Sequence, residues 1–152
     1  MRDTSIEPRV IGTVRNDLHD AKSHDWTEVV SEIVLDPEVA PALDGLEGFS
    51  HIVVLFWLDK VTPQERQVLK AHPHKRKDLP LVGVFAIRTP SRPNPIGVTI
   101  ARLLERRENV LKVKGLDAID GTPVLDIKPL MPGAVPRGEL KAPDWVDRLS
   151  PA

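Results

Sequence analysis

The stretch GVFAIRTPSRPNPIG, Gly83 to Gly97, carries Arg88, Arg92 and Asn94 among prolines at 90, 93 and 95. Each proline fixes its own φ and pushes the preceding residue into an extended conformation. The loop is therefore stiff and aims two guanidinium groups in set directions. Such a loop costs little entropy to order around an anionic or polar ligand. The same pattern also describes a proline-rich turn with solvated arginines. LDAIDGTPVLDIKP adds Asp117, Asp120 and Asp126 around the turn Gly121-Thr122-Pro123. Turn aspartates commonly bond their own backbone, which would account for Asp120; Asp126 falls within an expected strand. FSHIVVLFW sets Ser50 and His51 at the mouth of an apolar strand, where the histidine is either satisfied by backbone groups or a proton carrier. Trp26, in HDWTEV, is either core or a stacking platform for an aromatic ring. Arg66, Lys70, Lys75, Arg76 and Lys77, with His72 and His74, form a basic run. It suits phosphates, with affinity that falls as salt rises, or it is a solvated loop.

These groups need strands to hold them. Val10 to Arg15, Glu28 to Leu35, Ser50 to Leu58, Val82 to Arg88, Val98 to Leu104, Val110 to Leu116 and Pro123 to Ile127 are short, β-branched and bounded by turn residues. Val110 to Lys114 shows the clearest period of two, with Leu111 and Val113 inward. Ile52 to Leu58 is apolar on both faces, which predicts a central strand or a subunit contact. Thr62-Pro63-Gln64-Glu65 is a capping box and predicts a helix ending before Pro73. Short strands without strand–helix alternation predict a mainly β chain, a small antiparallel barrel with one or two short helices. Unpaired edges would call for closure or dimerisation.

Composition narrows the chemistry. With 152 residues, a single domain over 1–152 is expected, its core about 10–132 and the tail 133–152 packing on the surface or on a partner. The formal net charge is −1, so no global basic field attracts nucleic acid. There are no cysteines, which excludes disulfides, thiolate zinc sites and cysteine nucleophiles. The sequence has no GxGxxG, no Walker loop, no H-E-x-x-H and no G-x-S-x-G, and no metal site is expected. The longest apolar run, Ile52 to Leu58, is too short to span a bilayer, and MRDTSIEPR is charged where a leader would be apolar. A cytoplasmic protein is the expectation.

FSHIVVLFW, GVFAIRTPSRPNPIG and LDAIDGTPVLDIKP, in that order, with VIGTVRND and LDGLEGFSH, closely resemble the TrmO family, also called TsaA-like or YaeB-like. The resemblance covers about Val10 to Pro132. It implies a homodimeric S-adenosylmethionine-dependent methyltransferase on a small β-barrel with no Rossmann sheet. The best-known reaction of the family is methylation of N6 of N6-threonylcarbamoyladenosine beside the anticodon of tRNA. Longer members carry a further C-terminal domain, and this chain reads as the short form. The resemblance puts Arg88, Leu58, Asp59, Lys60, the turn Asp120, Gly121, Thr122 and Pro123, and Trp26 at the methyl donor. Arg92 and Asn94 would shape the rim or meet the acceptor, and Lys75, Arg76 and Lys77 would meet tRNA. Asp120, Asp126 and His51 are the candidates to take the acceptor's proton. The alternative reading is a donor-binding protein, or a methyltransferase acting on a small molecule.

Overall fold

Alternation of apolar and polar side chains makes the strands: Leu111 and Val113 are buried while Lys112 between them is exposed. The computed structural model describes residues 4–21 and 24–149. In chain order the strands are β1 (Gly12–Arg15), β2 (Val30–Leu35), β3 (His51–Trp57), β4 (Lys70–Ala71), β5 (Val82–Gly83), β6 (Ile96–Arg107), β7 (Val110–Lys114) and β8 (Pro123–Pro129). Six of them, ordered β1-β2-β7-β6-β3-β8, close into an antiparallel barrel. The closing seam is short: β8 returns to β1 through Gly12↔Val124 and Thr13↔Pro123.

The strand apolar on both faces is central. β3 pairs with β6 from His51↔Arg102 to Trp57↔Ile96, and with β8 from Ile52↔Pro129 to Phe56↔Val124. Ile52, Val54 and Phe56 point into the core, where they meet Val14, Ile33, Leu111, Val113, Leu116 and Val124. Burial of each such side chain contributes about 1.5–3 kcal/mol relative to exposure. Val53, Leu55 and Trp57 lie half-buried on the outer face. On β6, Gly97 faces inward opposite Phe56, and a Cβ there would stand 2.2 Å from the ring carbon Cε2.

One barrel end is stoppered. The 3₁₀ segments Pro37–Leu43 and Leu46–Gly48 bring Leu43 into the core and lay Val39 and Leu46 against it. Arg106, on β6, pins them: its Nη1 pairs with Asp44 at 3.0 Å and Glu47 at 2.6 Å, and Nη2 donates to the Ala40 carbonyl at 3.2 Å. The Glu47 backbone N–H, and then the Arg106 guanidinium, hold the Glu47 carboxyl below the usual carboxylate range.

The chain divides into two compact units. One comprises the described residues up to Asp59 together with Ile96–Leu130, and is the barrel; the other comprises Lys60–Pro95 and the described residues from Met131 onward. In the second unit β4 and β5 form a two-stranded ribbon, with Lys70↔Gly83 and Ala71↔Val82. Pro73, Leu79, Val84 and Pro95 are the buried residues of this unit. The His72 ring nitrogen Nδ1 stands 2.8 Å from the Leu79 carbonyl oxygen. His74 and Lys75 have positive φ, 50° and 59°, a conformation that costs side-chain-bearing residues about 1–2 kcal/mol each. The tail contains a 3₁₀ turn, Asp144–Arg148, and the Arg148 carbonyl accepts from Arg76.

Two expected elements are absent from their places. The capping box at Thr62 forms: Thr62 N–H donates to Glu65 at 2.7 Å, and Glu65 N–H to Thr62 Oγ1 at 3.2 Å. It opens only a 3₁₀ turn, Glu65–Gln67, because Val68 is already extended and the chain enters β4. Isolated helices shorter than about 12–15 residues are marginal without an apolar face to pack, and Pro73 caps the available length. The expected strand Val82 to Arg88 stops at Gly83 and becomes a 3₁₀ turn over Val84–Ala86, with Val84 N–H bonded to the Leu69 carbonyl. No α-helix occurs among the described residues.

Candidate functional site at one end of the barrel

Strand direction sorts the candidate residues. The ends of β1 at Arg15, β3 at Trp57 and β7 at Lys114, and the starts of β2, β6 and β8, all lie at the end opposite the stopper. Leu58, Asp59, the turn Asp120–Pro123 and the segment around Trp26 therefore gather at this end. His51 lies at the far end of β3, roughly 20 Å away at about 3.3 Å per residue. Its ring Nδ1 is 2.7 Å from Ser50 Oγ. Asp126 sits mid-strand, opposite Leu55, and pairs with Lys128 at 2.8 Å while accepting the Ile127 N–H.

The Asp120–Pro123 turn is tied down through its donors. Asp120 N–H bonds the Leu18 carbonyl at 2.7 Å, Gly121 N–H the Val14 carbonyl at 2.8 Å and Thr122 N–H the Ile119 carbonyl at 3.2 Å. Buried Thr122 also donates its hydroxyl to Ile119, and Pro123 has no N–H. What the turn can offer a ligand is therefore acceptors. Asp120 Oδ1 accepts the Asn16 N–H at 3.0 Å, and Oδ2 is 3.9 Å from the His19 ring, with about a third of the side chain exposed. Gly121, at φ 81°, has nothing within 4 Å of where a Cβ would stand. Trp26 is half-buried in a 3₁₀ turn capped by Asp25, with the His24 ring edge-on at 5.3 Å.

Asn16, which carries no motif of its own, organises this end. Its Nδ2 donates to Ser31 Oγ and to the Ala118 carbonyl, both at 2.9 Å, and its Oδ1 accepts the Leu18 N–H at 3.0 Å. One side chain thus joins β1, β2 and the approach to Asp120. A signal for it exists in the sequence. Gly12 and Val14 point inward on β1, so Asn16 continues the inward phase with a polar side chain.

Lys60, Arg88, Arg92, Asn94, Lys75, Arg76 and Lys77 belong to the second unit. In its loop, Arg92 Nη1 donates to the Ile87 carbonyl at 3.0 Å and the Thr89 carbonyl at 3.2 Å, and the guanidinium lies 5.9 Å above Phe85. Arg66 Nε donates to the Pro93 carbonyl at 2.9 Å. Arg88 and Asn94 are exposed, and Pro95 is buried. Arg76 is committed to a two-point pair with Asp78, at 3.2 and 2.7 Å, which raises its own pKa and lowers that of Asp78. Lys75 and Lys77 are exposed.

The donor set can be tested against S-adenosylmethionine. The donor has one anionic group, its carboxylate; its ammonium, ribose hydroxyls and adenine amine donate hydrogens, its sulfonium is cationic, and its adenine ring nitrogens accept. Within the barrel unit, the turn's acceptors and the Asp120 carboxylate match the hydrogen-donating and cationic groups, and these residues fit that part of the donor.

Among the described residues the fold is a closed antiparallel barrel, with no Rossmann sheet, that carries an acceptor-rich turn at one end. The chain belongs to the tRNA-methyltransferase O N-terminal domain family, whose sequence pattern matches residues 20–134. It is 47% identical over 134 residues to a "Probable S-adenosyl-L-methionine-binding protein" of Methanothermobacter thermautotrophicus, spanning 85% of this chain and 93% of that protein. It is 39% identical over 125 residues to the mouse tRNA (adenine(37)-N6)-methyltransferase, spanning 82% of this chain but 28% of the mouse protein. The crystal structure of TrmO from Pseudomonas aeruginosa superimposes with a TM-score of 0.72 at 29% identity, over 94% of this chain and 62% of that one.

Proposed function

We propose that this protein transfers the methyl group of S-adenosylmethionine to a tRNA adenosine, at N6 of N6-threonylcarbamoyladenosine beside the anticodon. Family membership carries this reading, and the turn Asp120–Pro123, whose N–H groups are all spent internally, supports it. Transfer from a sulfonium needs the acceptor nitrogen in line with the methyl carbon, in a site shielded from water. As the N–CH₃ bond forms, the C–S bond breaks and the nitrogen loses its proton. Asp120, whose Oδ2 faces the His19 ring at 3.9 Å, is the group we assign to receive it. Asp126 is engaged by Lys128, and His51 stands at the opposite barrel end. Arg88 stays protonated and suits the donor carboxylate. Lys75 and Lys77 suit RNA phosphates; Arg76, forked to Asp78, shapes their loop. A cytoplasmic location accompanies a tRNA substrate.

Closure of the barrel within one chain leaves it no unpaired edge, so a homodimer would form through a face. Val98 and Ile100 on β6 are 41% and 54% exposed beside the outward Val53 and Leu55 of β3, which makes this face our choice. Ile100→Glu should shift sedimentation from dimer to monomer; an unchanged profile rejects the face.

The test of activity is transfer of labelled methyl from the donor to tRNA, with nucleoside mass spectrometry of tRNA from cells lacking the gene. Loss of the N6-methylated nucleoside in those cells is expected; its persistence at the normal level refutes the tRNA assignment. Donor binding without any label in tRNA would favour the second reading, a donor-binding protein or small-molecule methyltransferase. That reading is favoured by the relative spanned almost whole, whose name records only binding.

A further inference from the structure

We propose that Arg92 is a positioning residue for Arg88, setting its place through the backbone rather than meeting RNA or donor itself. The inference rests on the reading that Arg88 serves the donor. The two carbonyls that Arg92 Nη1 engages, at Ile87 and Thr89, belong to the residues on either side of Arg88. Both hydrogens of that nitrogen are thereby spent, one on each flank. The ring of Phe85 lies beneath the guanidinium, whose positive charge its π-face attracts.

The rest of the loop removes the remaining freedom. Pro90, Pro93 and Pro95 fix three φ angles, Ser91 N–H bonds Thr89 Oγ1 at 3.3 Å, and Arg66 holds the Pro93 carbonyl. Arg88 is thus the apex of a short arc whose two feet are held by one planar group. Lysine does not reproduce this arrangement, because its ammonium turns freely about the Cε–Nζ bond and has no guanidinium plane to hold the two N–H bonds toward both carbonyls or to lie over Phe85. Charge and geometry are therefore separable by substitution.

The experiment measures donor affinity by calorimetry, tRNA affinity by filter binding without donor, and amide exchange across 85–95, for Arg92→Ala and Arg92→Lys, each alone and with Arg88→Ala. Arg92→Ala and Arg92→Lys should each weaken donor binding about tenfold when Arg88 is present and less than twofold when it is absent. Amide exchange at Arg88 and Ser91 should rise in both, and the tRNA affinity should stay within twofold. Full donor affinity in Arg92→Lys, or an equal loss in the Arg88→Ala background, overturns the proposal. So does weakened tRNA binding by Arg92→Ala, which would make Arg92 an RNA contact. If Arg88→Ala alone leaves donor binding unchanged, the donor-site reading fails instead, and the exchange data still report whether Arg92 holds the arc. Unchanged urea midpoints confirm that the variants fold.

Discussion

Gly97→Ala would place a Cβ 2.2, 2.4 and 2.8 Å from Cε2, Cζ and Cδ2 of Phe56. Ordinary carbon–carbon contact is about 3.5–4.0 Å, so the ring would have to retreat by more than about 1 Å. It has little room to do so, since Phe56 is 2% exposed and sits among Val54, Ala101 and Val124 in the core. Overpacking of this kind costs about 1–3 kcal/mol. Alanine also restricts the unfolded chain, which offsets about 0.4–1 kcal/mol. The net loss should lie between about 0 and about 2.6 kcal/mol, centred on about 1.3, against a total stability of about 5–15 kcal/mol. Urea denaturation followed by circular dichroism should show a lower midpoint with an unchanged m value. The melting temperature should drop by roughly 2–4 °C per kcal/mol. Phe56→Leu removes the ring atoms in the way, so Gly97→Ala should cost little in that background. An equal cost in both backgrounds would refute the steric argument, as would a stabilised Gly97→Ala variant.

Asn16→Ala deletes donors to Ser31 and Ala118 and strands the Leu18 N–H, which should cost roughly 2–4 kcal/mol by urea denaturation; a loss below about 0.5 kcal/mol rejects its organising role. The Glu47 carboxyl has a depressed folded-state pKa, so its contribution is present above the ordinary carboxylate range and is lost as pH falls through the folded value. Glu47→Gln should flatten the acid limb of the stability–pH profile while changing the slope near neutrality very little; an unaltered acid limb contradicts this. Lys75→Ala with Lys77→Ala should weaken tRNA binding and lower the slope of log affinity against log salt by about 1–2. An unchanged slope removes that loop from the RNA contact.

The barrel was legible because its strands alternate: the inward Leu111 and Val113 and the two-faced β3 state their places in their own composition. Helical signals misled at Thr62, where a correct local cap is overruled by the chain beyond it, through Pro73 and the pairing of Lys70–Ala71 with Val82–Gly83. Val82 to Arg88 reads as a strand by residue type, but only its first two residues find a partner. The motifs located the turn and the arginine loop without showing which of their groups were already spent. That all the N–H donors of Asp120–Thr122 are used internally, and that Arg92 braces its own loop, are tertiary facts. Asn16 was visible only through the inward phase of a four-residue strand, too short to stand out.

The short seam between β1 and β8 has a consequence for synthesis. β1 emerges first and must wait for the last barrel strand before its free edge is covered, so much of the ordering entropy falls on late, non-local contacts. Until Pro123–Pro129 arrives, β3 has only one of its two neighbours to pair with. Residues of the same seam fasten the turn of Asp120, through Gly121 N–H to Val14 and Val14 N–H to Thr122. Completing the fold and fixing the turn of Asp120 are therefore one event. A stalled chain released before residue 123 should neither withstand protease nor retain donor, and both properties should appear together as the last strand clears the ribosome.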